Sequence, residues 1–223
     1  MPKNYEIEIK SLLGSKENAD ALRQKVMERE GKLFRQEKQL NHYFTYTDIK
    51  KFHQDLLSHI PEEQKEIFSD LMARGKNFSI RTRQTNDKVM LIVKVSIDDH
   101  TSSNAVSRRE FDAIMNMSLD ELDQLLLKAG LEYQAKWSRE REEYKLNDTS
   151  VCIDRNAGYG YLAEFEKVVN DDGIAAETKQ SLLILMDELG VGELQQDRLE
   201  RMFSFYNSHW PEYYGTDKVF NID

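Results

Sequence analysis

The sequence predicts an α+β protein built on a predominantly antiparallel sheet. Three observations carry that expectation. Eight stretches read as strands by period-two alternation or by enrichment in β-branched and aromatic residues; segments of helical period are interspersed among them; and consecutive strands mostly lie close enough in the chain to be antiparallel neighbours. At 223 residues the chain can bury a substantial core, and a single domain over 1–223 is expected.

The first strand, YEIEIK at 5–10, sets Glu6, Glu8 and Lys10 on one face and Ile7 and Ile9 on the other. Segment 17–30 is an amphipathic helix with Gly31 as its stop signal, and LNHYFTYTD at 40–48 is rich in aromatic and β-branched residues, as strands are. From Asp48 to Gly75 the period turns helical. Ile49, Phe52, Leu56, Leu57 and Ile60 recur at helical spacing, Pro61 interrupts, and Ile67, Phe68, Leu71 and Met72 resume, which predicts two short helices. Strands are expected at 77–85, 88–97, 107–114 and 136–146. The helix before the last of these opens with a capping box of Ser118 and Glu121 and stops at Gly130. Two further strands, 149–156 and 160–169, precede helices at 177–190 and 193–210, the second expected to end at the Pro211 break.

Composition narrows the function. A formal net charge of −9 argues against nonspecific binding to nucleic acid or an anionic membrane. The single cysteine, Cys152, excludes an intrachain disulfide and a multi-cysteine metal site, and suits a reducing cytoplasm. The N-terminus enters charged strand directly, and apolar runs such as 182–186 are too short to span a bilayer, so a soluble cytoplasmic protein, monomer or homodimer, is expected. The five histidines lack zinc-site spacing, and His42 beside Tyr43 reads as a strand-surface or core residue. GYGY at 158–161 reads as a turn, and the aromatics of 203–214 as packing against the sheet.

Charge patterning on the strands carries the most information. Arg81 and Arg83 share a face, Lys94 interrupts an apolar run, and Arg108, Glu110 and Asp112 fall together. So do Arg139 and Arg141, while Glu164 and Glu166 repeat the spacing of Glu6 and Glu8. Such faces could be solvated on a sheet that covers a helical layer. Alternatively the sheet closes on itself around a wet, polar lumen, where acidic and basic sets must compensate each other or bind ligands because uncompensated desolvated charge is costly. The second arrangement suits a divalent cation held by carboxylates and a polyanion held by guanidinium and ammonium groups.

The ordered series ExExK (Glu6, Glu8, Lys10), RxR (Arg81, Arg83), Lys94, RxExD (Arg108, Glu110, Asp112), RxR (Arg139, Arg141) and ExE (Glu164, Glu166) resembles the CYTH, or triphosphate tunnel metalloenzyme, family. The resemblance covers roughly residues 5–169. It implies an antiparallel eight-stranded, tunnel-like barrel with a charged lumen, helices packed outside, and a requirement for Mg²⁺ or Mn²⁺. It implies metal-binding roles for Glu6, Glu8, Glu164 and Glu166, with Glu110 and Asp154 as further candidates. Phosphate-binding roles fall to Lys10, Arg81, Arg83, Lys94, Arg108, Arg139 and Arg141, and Lys10 would also polarise the reacting phosphate. The helical stretch at 49–74 departs from the pattern as an insertion, and 174–223 supplies C-terminal helices. The expected activity is metal-dependent hydrolysis of a small-molecule triphosphate, inorganic triphosphate ahead of thiamine triphosphate. Cyclisation of ATP, as in class IV adenylyl cyclases, and non-catalytic polyphosphate or nucleotide binding are the competing expectations.

Overall fold

The structure is a computed structural model that describes residues 5–96, 108–170 and 172–222. Its strands are β1 (Tyr5–Gly14), β2 (Lys32–Tyr46), β3 (Lys76–Thr85), β4 (Lys88–Ser96), β5 (Arg108–Ile114), β6 (Leu131–Leu146), β7 (Thr149–Asn156) and β8 (Gly160–Val169). The helices are α1 (Lys16–Glu28), α2 (Ile49–Leu57), α3 (Lys65–Arg74), α4 (Leu119–Lys128), α5 (Ala175–Glu188) and α6 (Gln196–Tyr213). The sheet order is β1-β8-β7-β6-β2-β3-β4-β5, and the described ladders pair antiparallel. The α+β, antiparallel expectation therefore holds. Closure does not: among the described residues the order stays open at β1 and β5, because β1 pairs with β8 alone and β5 with β4 alone. The expected closed barrel is corrected to an open eight-stranded sheet.

The chain divides into two compact units, and β2 and β6, the longest strands, run from one into the other. The first unit, which among the described residues takes in 5–38 and those from 138 onward, has a core of Ile7, Ile9, Leu22, Val26, Phe165, Leu182 and Met186. Here α1 and α5 cover the apolar faces of β1 and β8, the isoleucine face of the opening strand included. The second unit, which among the described residues takes in 39–96 and 108–137, has its own core of Phe52, Leu56, Phe68, Ile80, Leu91, Phe111 and Leu122. The helical stretch 49–74 is part of that core. Phe68 packs 6.2 Å from Phe52 and 5.0 Å from Phe111 between ring centroids, and each such side chain contributes about 1.5–3 kcal/mol by leaving water.

Local signals behave as their chemistry requires. Ser118 caps α4 with the reciprocal Glu121 bonds of a full capping box, and Pro61 separates α2 from the turn leading to α3. Pro211, by contrast, does not end its helix. It lies inside α6, close enough to the C-terminus that its missing N–H costs one bond in the last turn, and the chain stays helical to Tyr213. β2 begins at Lys32, eight residues before its aromatic stretch, and β6 at Leu131, because strand partners extend segments whose own alternation is weak. No helix among the described residues is long and apolar enough to cross a membrane.

Candidate active site

In the first unit, β1, β8, β7 and β6 lie side by side, and their register collects the charged positions. Glu8 stands opposite Glu166, Lys10 opposite Glu164, and Arg141 opposite Asp154. Lys10 Nζ lies 3.1 Å from Glu164 Oε1 and also pairs with Glu8, a contact that lacks hydrogen-bond geometry. Arg141 donates from Nε to Asp154 Oδ1 at 2.7 Å and from Nη2 to Oδ2 at 2.6 Å, a two-pronged fit of guanidinium to carboxylate. Arg139 Nη1 donates to the same Oδ2 at 2.9 Å and lies 3.8 Å from Glu164, which Arg141 also contacts. Both oxygens of Asp154 are thus committed to arginines, and its side chain is 1% exposed.

These contacts separate the behaviour of two glutamates. Burial raises the proton affinity of Glu164, but Arg141, Lys10 and Arg139 outweigh it and hold the carboxyl well below the usual range. Glu166, two residues on, is pushed up to about 7 by burial and by the charges of Glu6 and Glu164. Six carboxylates (Glu6, Glu8, Glu143, Asp154, Glu164 and Glu166) stand on this face of the four strands against four cations (Lys10, Arg139, Arg141 and Lys145). An excess of oxygen anions beside partly buried cations is a donor set that fits a hard divalent cation. Among the described residues, no three His, Cys, Asp or Glu side chains are already gathered into a metal cluster.

The second unit holds the remaining candidates. Arg81 Nη1 donates to the Tyr43 hydroxyl at 2.8 Å, with the guanidinium 5.6 Å from the Tyr43 ring centroid, and Arg83 Nε donates to Asn41 Oδ1 at 2.7 Å. These pairings follow register, since Arg81 faces Tyr43 and Arg83 faces Asn41 across β3 and β2. Arg81 Nε is buried with no hydrogen-bond partner among the described residues, a donor that lacks an acceptor. Lys94 faces Glu110 across β4 and β5 at 2.5 Å, and Arg81 lies 3.7 Å from the same carboxylate. Burial opposes the ionised form of Glu110, yet Lys94 and Arg81 hold it below the ordinary range, whereas Asp112 is pushed up to about 6 by burial and by Glu110. Arg108 begins β5, and its side chain lies outside the described residues.

Asn41 and Tyr43 escaped the sequence reading. The signal was present: period-two alternation through NHYF sets Asn41 and Tyr43 on one face and His42 and Phe44 on the other. What the sequence could not show is that this face meets Arg81 and Arg83.

A family model, the CYTH domain, matches residues 4–198, most of the chain. The chain belongs to the CYTH family. Members of this family are triphosphatases or cyclase-like enzymes and are in general divalent-metal dependent. No curated protein matches the CYTH chain by sequence. Among solved structures it is similar in fold to a conserved hypothetical protein from Pyrococcus furiosus, with a TM-score of 0.60 at 18% identity, covering 86% of this chain and 93% of that one. A candidate adenylate cyclase from Vibrio parahaemolyticus also has a TM-score of 0.60, at 15% identity, with 90% and 98% covered. A candidate adenylyl cyclase from Hippeastrum, whose dominant activity is that of a triphosphatase, has a TM-score of 0.53 at 16% identity, with 88% and 95% covered.

Proposed function

We propose that this CYTH protein hydrolyses a triphosphate with the help of Mg²⁺ or Mn²⁺, with inorganic triphosphate the preferred substrate and thiamine triphosphate the second. One observation carries the reading: on one sheet face Glu164 is shared by Lys10, Arg139 and Arg141, while Glu166 is crowded by Glu6 and Glu164. A module that only captured anions would gain nothing from surplus acid beside its ligand, so this mixture favours turnover over mere binding. The similarity in fold to the Hippeastrum protein points the same way.

In this mechanism Glu6, Glu164 and Glu166 would hold the divalent cation, with Glu8 beside them. When bound, the cation supplies charge neutralisation on the phosphate oxygens. Lys10 binds the reacting phosphate as a point charge, Arg139 offers a planar fork to its oxygens, and Arg141, whose Nε and Nη2 are held by Asp154 and Glu164, offers the donors of Nη1. Asp154 keeps both guanidiniums oriented, so little reorganisation is needed as charge develops, and electrostatic positioning supplies most of the acceleration. Arg81, Arg83 and Lys94 form a second anion-binding set within their own unit, and the buried, unpaired Arg81 Nε supports that role.

The test is to incubate the pure protein separately with inorganic triphosphate, thiamine triphosphate and ATP, each with Mg²⁺ or Mn²⁺, and to resolve the products. Phosphate release from inorganic triphosphate that EDTA abolishes is the expected result. Cyclic AMP with pyrophosphate as the dominant product from ATP would make the protein a cyclase instead. Tight binding of all three without any product would make it a non-catalytic polyphosphate- or nucleotide-binding module.

A further inference from the structure

On the helix-covered side of β1, away from the charged face, the first unit contains a cavity of about 410 Å³. Its floor is the end of β1, one wall is α1, and the other is the loop from Leu189 to Gln195 with the first turn of α6. Aliphatic side chains from β1, α1 and the loop line it, and the polar groups among the lining residues are unevenly charged. Lys25 and Arg198 enter from α1 and α6. The carboxylate of Glu193 is already paired with Lys179 at 3.4 Å, outside the lining. Lys25 donates one N–H to the Leu189 carbonyl at 2.8 Å, and Arg198 spends Nε on the Ile222 carbonyl at 3.2 Å. An ammonium has three N–H groups and a guanidinium five, so each retains donors for a ligand.

Two details show that the cleft is built for more than incidental space. Ser11 is 2% exposed and, at the end of β1, supplies the hydroxyl among the residues that line the cavity. Gly190, at φ +72°, leaves open the space that the Lys25 ammonium occupies: a Cβ there would stand 2.4 Å from Nζ. A side chain at 190 would push the cation from its place at the rim. Pockets that bind small molecules combine such an apolar lining with a few polar groups that fix orientation.

We infer that this cleft binds a small aliphatic anion, whose charged head is held by Lys25 and Arg198, whose acceptor atom meets the Ser11 hydroxyl, and whose hydrocarbon body lies on the aliphatic lining. The cleft is not isolated from the candidate active site. The Leu194 amide donates to the Lys10 carbonyl at 2.7 Å, so a ligand that shifts the loop moves the backbone of the residue assigned to the reacting phosphate. Only that coupling rests on the proposed triphosphatase reading; binding itself does not.

The experiment is an amide NMR titration of the full chain with acetate, butanoate, hexanoate and octanoate, with hexyl phosphate as the phosphate-headed arm and hexanamide as the uncharged control. Saturable shifts over residues 11–25 and 189–198, including the Leu194 amide, are expected for the anions, strengthening with chain length. Lys25→Met and Arg198→Met lie at the rim and should fold normally, each weakening anion binding by roughly tenfold, the worth of one charged hydrogen bond. Ser11→Ala should weaken it less. A tighter fit of hexyl phosphate than of hexanoate would identify a phosphate head, and the reverse a carboxylate. No saturable shift with any anion would overturn the inference, as would equal binding of hexanamide, or unchanged binding by Lys25→Met and Arg198→Met. Triphosphate turnover that is absent with or without hexanoate would remove the proposed activity and leave the site standing.

Discussion

Arg141 and Asp154 face each other across β6 and β7 and meet prong to prong, with both contacts between 2.6 and 2.7 Å and Asp154 buried. Asp154 therefore anchors the Arg139 and Arg141 guanidiniums. Removing one partner of a buried pair leaves an uncompensated charge, and Asp154→Ala is expected to lower unfolding stability by about 3 kcal/mol or more in urea titrations. Arg141→Met combined with Asp154→Leu should recover part of that loss. Equal stability of Asp154→Ala and the parent would show that the arginines do not need this acid.

Glu164→Gln and Glu166→Gln are expected to cut metal-dependent turnover of inorganic triphosphate by about a hundredfold or more, with unfolding midpoints near that of the parent. Arg139→Ala should chiefly raise KM. Full activity in all three variants would place the chemistry elsewhere.

Tyr43→Phe leaves the ring beneath Arg81 and removes the hydroxyl that accepts from Nη1. Loss of one charge-assisted hydrogen bond corresponds to about 1.5–3 kcal/mol, so KM is expected to rise by roughly tenfold or more with kcat almost unchanged. A fall in kcat with constant KM would mean that Arg81 acts on the transition state rather than on substrate binding.

Asp123, from α4, is the hub of a buried polar cluster in the second unit. His42 Nδ1 lies 2.6 Å from its Oδ2, Thr82 donates to Oδ1 at 2.7 Å, and Tyr133 donates to Oδ2 at 2.7 Å. Burial works against its charge, but these bonds win and hold the carboxyl below its usual range. A carboxyl whose folded value is depressed contributes stability that is complete above its unfolded value near 3.9 and is lost as pH falls through the folded value. Urea unfolding from pH 6 down to pH 2.5 should show this acid loss in the parent and a flatter curve in Asp123→Asn. Superimposable acid limbs would remove Asp123 from the cause.

Alternation by itself determined which residues share a strand face. The side-chain period of a strand is fixed by backbone geometry, so YEIEIK had to put its acids and its isoleucines on opposite sides. Capping chemistry likewise fixed the start of α4 at Ser118, because its bonds are local. His42 read only as a strand-surface or core residue; that it is buried and bonded to Asp123, 81 positions away, was decided by the tertiary structure. Partnership across strands was decided only in three dimensions. Register brings Lys10 to Glu164, Arg141 to Asp154 and Tyr43 to Arg81, and register depends on turns and cores far from the residues it pairs. The same holds for Pro211, whose effect depended on how near the helix end it fell, and for sheet closure, which no strand can specify alone because it requires β1 and β5 to be hydrogen-bonded neighbours.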